Sequence, residues 1–301
     1  MKLGLVLAGG GGRGAYQIGV WEALKELGVD KYIEGVSGTS IGALNAILFL
    51  QGDIDIAKEA WMDISVEKIL PTDNLDLMTR GVLLAIGSKK LNFVKKYMPR
   101  TLEKGNISRK GLIDILDKYI DFNTIINNNK SFYVACSELP QIRPRYFKLN
   151  NKSEDEIRNI LLATSAIPII YESEKVNEYK YLDGGITDNI PIQPLYGEGY
   201  DPIIVVHLCK NSFIERDCFP NSEIIEIKPK YMDDSVSETL DFTKEGARRR
   251  FDQGYNDCIN LFHPIMNIAR YQMQKAPMEA INNLGKKIKE KSFRFRNIFK
   301  R

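Results

Sequence analysis

The sequence feature that most constrains the fold is a G-x-S-x-G pattern, formed by Gly38, Ser40 and Gly42. An apolar, extended segment precedes it at residues 32–36, and an apolar, helix-forming segment follows at residues 43–50. This setting is typical of a nucleophile elbow, in which the serine lies at the tip of a tight strand-to-helix turn. The flanking glycines remove Cβ atoms where the two backbones would collide. A motif this short is only a hypothesis until its structural context confirms it, so an ordinary glycine-flanked turn is the alternative interpretation.

The first forty residues predict a parallel sheet. An apolar run at residues 2–8 reads as a buried strand, and a glycine loop at residues 9–14 follows it. A helix is predicted over residues 15–27, because its apolar positions recur at helical spacing and Gly28 follows as a stop signal. Strand, helix and second strand in this order form a βαβ unit. We therefore expect an α/β fold with a mostly parallel central sheet.

The glycine loop has three possible interpretations, two functional and one purely structural. Gly9, Gly11 and Gly14 fit the dinucleotide fingerprint, for which Glu34 is near the distance expected of a ribose ligand. That interpretation predicts a nucleotide-dependent oxidoreductase. Alternatively, the bare N–H groups of the loop form an oxyanion hole beside Ser40 at the same sheet edge. A flexible turn is the third reading, but consecutive glycines cost backbone entropy that a turn does not require. The oxyanion hole is favoured.

If Ser40 is a nucleophile, it needs a general base to accept its proton, and that base must come from another part of the chain. Asp183 ends a short predicted strand and is followed by Gly184 and Gly185, which allow its carboxylate to approach another backbone closely. Of the two histidines, His207 closes an apolar strand and reads as structural, and His263 is far from any glycine turn. The sequence therefore predicts a serine hydrolase that works without histidine, although an Asp-Gly turn remains an alternative for this stretch.

Composition excludes several other classes of protein. A hydrophobic content of 44% with 27% charged residues is typical of a globular chain, and a net charge of +3 gives no argument for nucleic acid. No stretch approaches the ~20 apolar residues of a membrane span, and no signal peptide is indicated. We expect a cytoplasmic protein with no metal site and no cofactor. Its scattered cysteines are predicted to be reduced and mostly buried: Cys136, Cys209, Cys218 and Cys258.

Three stretches together resemble the patatin-like phospholipase family. Residues 9–14 match its glycine-rich loop, residues 38–42 its G-x-S-x-G, and residues 183–185 its D-G-A/G. Residues 163–168 are similar to a segment common before that aspartate. The resemblance covers roughly residues 3–208, and the order of the three motifs is far more specific than any one of them.

This resemblance implies a three-layer α/β/α fold and hydrolysis of acyl esters in lipids by a Ser–Asp dyad. Ser40 would be the nucleophile and Asp183 its base. The amides of Gly10 and Gly11 would be the oxyanion donors, with Arg13 supporting their loop. A free aspartate is a weak base near neutrality, so we predict that burial raises the pKa of Asp183. A lipid-binding protein of the same fold without catalysis is a further alternative.

Two parts are predicted: a catalytic domain at residues 1–208 and a mostly helical extension at residues 209–301. Within the extension we expect a helix over residues 236–261, with residues 248–250, three arginines, on a solvated face. Residues 286–301 hold eight basic residues and one acidic residue. With their interleaved aromatics, they favour either an anchor to the anionic inner face of a membrane or a solvated terminus.

The middle of the chain is less informative. Residues 75–98 mix apolar residues with lysines, which indicates a helix pair packed on the core or, as the alternative, a lid or membrane-contacting patch. The remaining predicted elements are helices at 57–62, 108–119 and 154–163 and strands at 131–136 and 145–149.

Overall fold

The computed structural model describes residues 2–71, 105–233 and 235–298, with side chains described as far as residue 272. Residues Met1–Cys258 form one compact unit, and Ile259–Arg301 form a second unit. The described elements, numbered here in chain order, are β1 Leu3–Leu7, α1 Ala15–Glu26, β2 Ile33–Thr39, α2 Ile41–Gln51, α3 Ile54–Asp63, α4 Val66–Ile69, α5 Lys110–Tyr119, α6 Phe122–Ile126, β3 Ser131–Glu138, β4 Arg143–Lys148, α7 Glu154–Thr164, β5 Glu174–Val176, β6 Tyr179–Asp183, α8 Gln193–Gly197, β7 Ile203–Val206, β8 Ile224–Ile227, α9 Val236–Leu240 and α10 Lys244–Ile298.

The strands form an eight-stranded sheet in the order β5-β6-β3-β2-β1-β7-β8, with β4 paired to β3. The central pairs β3–β2, β2–β1, β1–β7 and β7–β8 are parallel. The pairs of β4 and β6 with β3, and of β5 with β6, are antiparallel. The predicted parallel sheet is thus confirmed, with an antiparallel part at one side. The parallel register places the ends of β1 and β2 next to each other, because Leu7 pairs with Gly38.

Helices cover both faces of this sheet. Because side chains alternate along a strand, β1 directs Val6 to one face and its neighbours Leu5 and Leu7 to the other. Val6 belongs to a buried cluster with Leu195 of α8. Leu5 and Leu7 lie with residues of α1 and α2, among them Trp21 and Phe49, on the opposite face. The fold is therefore a three-layer α/β/α arrangement with β1 inside its sheet, as the family resemblance implies.

Local signals explain where the early elements begin and end. Helix α1 stops before Gly28, whose φ of +69° is the left-handed conformation that glycine adopts most readily. Helix α5 ends at Tyr119 as predicted but begins at Lys110, two residues later than expected, with Arg109 and not Ser108 at its N-cap. The prediction that the extended segment before Ser40 begins at Tyr32 is wrong. Tyr32 lies in a short 3₁₀ turn and is 64% exposed, so the strand begins one residue later.

The predicted helix over residues 236–261 is wrong in its continuity. Helix α9 ends at Leu240, and α10 begins at Lys244. The break has a local cause: Asp241 Oδ1 accepts the N–H of Thr243, and Thr243 Oγ1 accepts the N–H of Gly246. Side-chain acceptors of this kind favour a new helix start over continuation.

The predicted solvated face of three arginines is also wrong at one position. Arg248 and Arg249 are exposed, but Arg250 is 1% exposed and is bonded to the carboxylates of Glu238 and Asp241. A charged run in sequence does not reveal which member turns inward, because the two carboxylates that pair with Arg250 come from the preceding helix and turn.

Three further predictions concern residues 75–98, the cysteines and membrane-spanning helices. The segment at residues 75–98 lies outside the described residues. Of the four free cysteines, Cys218 is exposed and the other three are buried, as expected. Among the described residues, no helix combines the length and the apolar character that crossing a bilayer requires.

Candidate active site

Ser40 lies at the sharp turn between β2 and α2. Its φ of +54° and ψ of −126° are rare for a residue with a side chain, and they are the strained backbone expected of a nucleophile elbow. The glycines permit the turn. A Cβ on Gly38 would lie 2.5 Å from the carbonyl oxygen of Gly42, and a Cβ on Gly42 would lie 2.2 Å from that of Leu7. The predicted strand–serine–helix geometry is therefore present.

Ser40 and Asp183 are brought together although they are 143 residues apart in the chain. Ser40 Oγ donates to Asp183 Oδ2 at 2.6 Å, and the N–H of Gly185 donates to Asp183 Oδ1 at 2.8 Å. Both side chains are buried. Desolvation raises the pKa of Asp183 to about 6, against the lowering effect of the Ser40 and Gly185 hydrogen bonds. This is the direction predicted from the sequence.

The end of β6 holds Asp183 rigidly. Its N–H donates to the carbonyl of Ala166 at 2.9 Å, and its carbonyl accepts the hydroxyl of Ser137 at 2.8 Å. A Cβ on Gly184 would lie 2.2 Å from the carbonyl oxygen of Ala135 in β3, so this position requires glycine. The two glycines after Asp183 therefore serve close packing at Gly184 and a hydrogen bond to the carboxylate at Gly185.

The glycine loop passes directly beside Ser40. A Cβ on Gly9 would lie 3.4 Å from Ser40 Cβ, and Gly11 lines the same cavity as Ser40. No acceptor among the described residues is bonded to the backbone N–H of Gly10 or Gly11. Arg13 is 7% exposed, and its Nε donates to the carbonyl of Gly10 at 3.1 Å. These positions fit the predicted roles of an oxyanion loop and a supporting arginine.

The dinucleotide interpretation of this loop is not supported. A Cβ on Gly11 would lie 2.4 Å from the carbonyl oxygen of Thr239, and one on Gly12 would lie 2.2 Å from that of Asp241. The space that a pyrophosphate needs against the loop is thus filled by the chain's own backbone around α9. Glu34, the candidate ribose ligand, is an exposed residue near the start of β2.

Two supporting residues were missed by the sequence analysis. Thr164 Oγ1 accepts the N–H of Ser40 at 2.8 Å and donates to the carbonyl of Ala135 at 2.6 Å. Asn189 bonds Gly9 twice, by its side-chain amide to the Gly9 carbonyl and by its own carbonyl to the Gly9 N–H. The sequence pointed to these two residues only by their position: Thr164 lies in the segment before Asp183, and Asn189 lies six residues after Asp183.

A buried polar network fixes both ends of the glycine loop. Gln17 Nε2 donates to the carbonyl of Ala8 at 2.8 Å, and Asn45 Nδ2 donates to the carbonyl of Gly14 at 2.9 Å. Asn45 also bonds Gln17 at 2.8 Å, and its Oδ1 accepts the indole N–H of Trp61. Because every member has a partner, the network favours a single arrangement of the loop.

An apolar cavity opens at Ser40. Its wall is formed mainly by aliphatic and aromatic side chains of α2, α3, α5 and the segment after α7, among them Leu44, Leu48, Trp61, Leu112, Leu116 and Ile167. Cavities with this lining and few polar groups bind apolar ligands, which the polar groups then orient. Here the few polar side chains at the cavity include Ser40, with its hydrogen bond to Asp183, as well as Asn45 and Ser165.

The histidines take no part in this arrangement. His207 is fully buried, and burial lowers its pKa to about 4, although Glu226 lies 2.9 Å from its Nε2 and opposes the shift. His263 is exposed on α10. The structural role predicted for His207 agrees with this burial, and the described residues place no histidine in contact with Ser40.

The fold and this site define an α/β protein with a serine elbow, a glycine loop and a buried aspartate bonded to the serine. The family model of the patatin-like phospholipases matches residues 5–196. The chain therefore belongs to the patatin-like phospholipase family, as its motifs predict. The remaining residues, including α9 and α10, lie outside the matched region.

Relatives and solved structures agree with this assignment. The chain is 28% identical over 205 residues to Lysophospholipase nte1 of Aspergillus terreus, covering 68% of this chain and 12% of that protein. It is 25% identical over 206 residues to the uncharacterized protein YjjU of Escherichia coli, covering 68% and 51% of the two chains. The chain thus spans about half of one relative and a small part of the other. The crystal structure of VipD from Legionella pneumophila has the same fold, with a TM-score of 0.53 at 16% identity over 87% of this chain and 67% of that one.

Proposed function

We propose that this protein is a serine hydrolase that cleaves acyl ester bonds of lipids through a Ser40–Asp183 dyad. The observation that carries this proposal is the 2.6 Å hydrogen bond from Ser40 Oγ to Asp183 Oδ2 at an apolar cavity. A hydroxyl paired with a buried carboxylate is an activated nucleophile. Membership of a phospholipase family and the name of the Aspergillus relative point to the same chemistry.

The first half-reaction transfers the acyl group to the enzyme. Ser40 Oγ attacks the ester carbonyl carbon while its proton moves to Asp183, and the carbonyl oxygen becomes an oxyanion. The N–H of Ser40 is occupied by Thr164, so the N–H groups of Gly10 and Gly11, which bond no acceptor in the described part of the chain, are the proposed donors to that oxyanion. Each such donor is worth about 3 kcal/mol in comparable sites. The leaving alcohol then takes the proton from Asp183.

The second half-reaction releases the acid. Asp183, ionised again, removes a proton from a water molecule that attacks the acyl-enzyme, and the tetrahedral intermediate collapses as Ser40 Oγ recovers that proton. A pKa of about 6 suits both steps, because the carboxyl is ionised near neutrality yet basic enough to accept a proton. The dyad therefore needs no third residue to orient a base, since the sheet itself fixes Asp183.

The cavity suggests which part of the substrate is recognised. Its wall is apolar around α2 and α5, which suits a hydrocarbon chain extending from the ester at Ser40. We expect activity to increase with acyl chain length until the cavity is filled. Each buried methylene contributes about 0.8 kcal/mol, so lengthening the chain by two carbons raises kcat/KM roughly tenfold while space remains.

The test is hydrolysis of a series of p-nitrophenyl esters and of phospholipid vesicles by the wild type, Ser40→Ala and Ser37→Ala. Ser37 is the matched control, because its buried hydroxyl donates to the Pro191 carbonyl at 2.6 Å and not to the site. The proposal predicts that only Ser40→Ala loses turnover. Equal activity of Ser40→Ala and wild type contradicts it. Tight binding of lipid by an inactive wild type would instead indicate a lipid-binding protein.

A further inference from the structure

The loop that carries the proposed oxyanion donors is covered by a segment from outside the family match. We call residues 235–243, which contain α9 and the turn after it, the strap. Its backbone lies against the loop so closely that a Cβ on Gly11 or Gly12 would overlap the carbonyl oxygen of Thr239 or Asp241. On the other side, a Cβ on Gly10 would lie 2.8 Å from Leu208. The loop is therefore enclosed between Leu208, which follows β7, and the strap.

The loop and the region of the strap are also joined by hydrogen bonds through Arg13. Its guanidinium donates from Nε to the Gly10 carbonyl at 3.1 Å and from NH1 to the Asp233 carbonyl at 2.8 Å. A single planar group thus bonds the loop and the residue shortly before the strap at once. Phe242 of the strap is buried and lines the same cavity as Ser40. A displacement of the strap would therefore change both the loop and the cavity wall.

One buried side chain fixes the strap. Arg250 NH2 donates to Glu238 Oε2 at 2.6 Å and to Asp241 Oδ2 at 2.9 Å, and its NH1 donates to the Asp241 carbonyl at 2.9 Å. A Cβ on Gly246 would lie 2.3 Å from Asp241 Oδ2, so the glycine makes room for this cluster. A guanidinium with two carboxylates forms several charge-assisted bonds in fixed directions, which suits it to hold a backbone in place.

The beginning of α10 is itself anchored on α1, the helix that follows the loop. A Cβ on Gly254 would lie 2.0 Å from the carbonyl oxygen of Tyr16, and one on Gly19 would lie 2.0 Å from that of Phe251. The Tyr16 hydroxyl donates to Asp257 Oδ2 at 3.2 Å. Arg250 therefore projects from a helix in close backbone contact with α1.

We infer that Arg250 is a positioning residue for the oxyanion loop. It acts through Glu238 and Asp241 on the strap, and the strap holds Gly11 and Gly12 so that the loop N–H groups face Ser40. This role rests on the proposed hydrolase function for its effect on rate, but the mechanical coupling of Arg250 to the loop stands on the contacts alone. By this inference, residues that follow the region matched by the family model contribute to catalysis.

The test compares Arg250→Gln, Arg250→Lys and Glu238→Gln with the wild type, using Arg248→Gln as the matched control. Arg248 lies on the same helix and is exposed, and no described hydrogen bond or ion pair joins it to the strap, so its substitution removes the same charge without removing such a contact. Steady-state kinetics with a p-nitrophenyl ester are measured well below each variant's unfolding temperature. Binding of an alkyl trifluoromethyl ketone is measured in parallel, because this compound forms an oxyanion on the enzyme and so reports on the loop donors.

For Arg250→Gln and Glu238→Gln, we expect kcat to fall about tenfold or more with KM changed less than about twofold, because the oxyanion donors act on the transition state. The ketone should bind more weakly by the same factor as kcat/KM, and Arg250→Lys should recover part of both. If Arg250→Gln does not fold, Glu238→Gln decides, since Glu238 is partly exposed. A folded Glu238→Gln with unchanged kcat and unchanged ketone affinity overturns the inference.

Hydrogen exchange separates this inference from the proposed function. The backbone amides of residues 9–14 should exchange faster in Glu238→Gln than in the wild type and in Arg248→Gln. If the wild type hydrolyses no ester, the proposed function fails and the exchange result alone decides. Faster exchange in the loop then supports the coupling, and unchanged exchange overturns it.

Discussion

Burial and hydrogen bonding act in opposite directions on the carboxyl group of Asp183. Removal from water favours the neutral acid, whereas the Ser40 hydroxyl and the Gly185 N–H favour the carboxylate. Burial has the larger effect, and the pKa rises to about 6. A base with this pKa is ionised near neutrality and still accepts a proton readily, which is the compromise that general-base catalysis requires.

A pH–rate profile should therefore have one acidic limb at about the pKa of Asp183. We expect kcat/KM to rise about tenfold per pH unit below pH 6 and to level off above it, because only the ionised carboxylate takes the Ser40 proton. The measurement is kcat/KM for a p-nitrophenyl ester between about pH 4 and 9. Asp188→Asn is the control, since burial also raises the pKa of Asp188, which bonds Tyr146 and not Ser40. A limb that disappears in that variant would contradict the assignment.

Because its pKa is raised in the folded state, Asp183 destabilises the fold when it is ionised. Its folded-state pKa of about 6 lies above the ordinary 3.8, so the unfolded chain ionises first, and the folded state loses stability as pH rises from about 4 to 6. The loss above pH 6 amounts to about 3 kcal/mol at most. Asp183→Asn should thus be more stable than the wild type by about 1–3 kcal/mol at pH 8, with the difference fading near pH 4.

Urea unfolding of the two proteins at both pH values measures this difference. Ser40→Ala serves as the control, because it removes the hydrogen-bond donor and leaves the carboxyl in place. A wild type that is as stable as Asp183→Asn at pH 8 would show that Asp183 is not destabilised by burial.

At the scale of single residues, the sequence predicted the proximity of Ser40 and Asp183 better than the residues that support them. Ser40 lies between two glycines and Asp183 is followed by two, and these glycines leave a visible pattern in the sequence. Thr164 and Asn189 act through hydrogen bonds to backbone atoms that only the fold brings near. Arg250 was assigned to a solvated face, because its partners Glu238 and Asp241 precede a helix break that periodicity did not reveal.

At the scale of elements, the elbow depends on how closely α2 approaches β1. Gly42→Ala would place a Cβ 2.2 Å from the Leu7 carbonyl oxygen, which is backbone and cannot rotate away. We expect this variant to lose about 3 kcal/mol or more, or to fail to fold. Gly197→Ala is the control, since a Cβ there meets no atom within 4 Å, and we expect it to be neutral or slightly stabilising. Thermal unfolding compares them, and an unchanged Tm for Gly42→Ala would contradict the described packing.

The order of elements was largely predictable, and the reason is periodicity. Helix α5 buries Leu112, Ile115, Leu116 and Tyr119, the positions that its spacing selects. The parallel sheet follows from the βαβ unit at the start of the chain. The break between α9 and α10 was not predicted, because it is set by Asp241 and Thr243 against a helical pattern that continues on both sides.

At the scale of the whole molecule, the basic end of the sequence carries a prediction that stands apart from the site. Residues 286–301 have eight basic residues and one acidic residue, and each basic residue near an anionic surface contributes about 1 kcal/mol. Removing these residues should abolish co-sedimentation with anionic vesicles and leave hydrolysis of a soluble ester unchanged. Binding that is unaffected by the truncation would mean that the tail is a solvated terminus.

The proposed acyl-enzyme requires features of all three scales: a strained serine, an aspartate held at the end of a strand and a folded glycine loop. Intact-protein mass spectrometry after rapid quenching of a reaction with a long-chain p-nitrophenyl ester tests it most directly. We predict a mass increase of one acyl group on the wild type, located on the peptide that contains Ser40, and no such adduct on Ser40→Ala. An adduct on another residue, or turnover by the wild type without any adduct and with full activity in Ser40→Ala, would contradict the account.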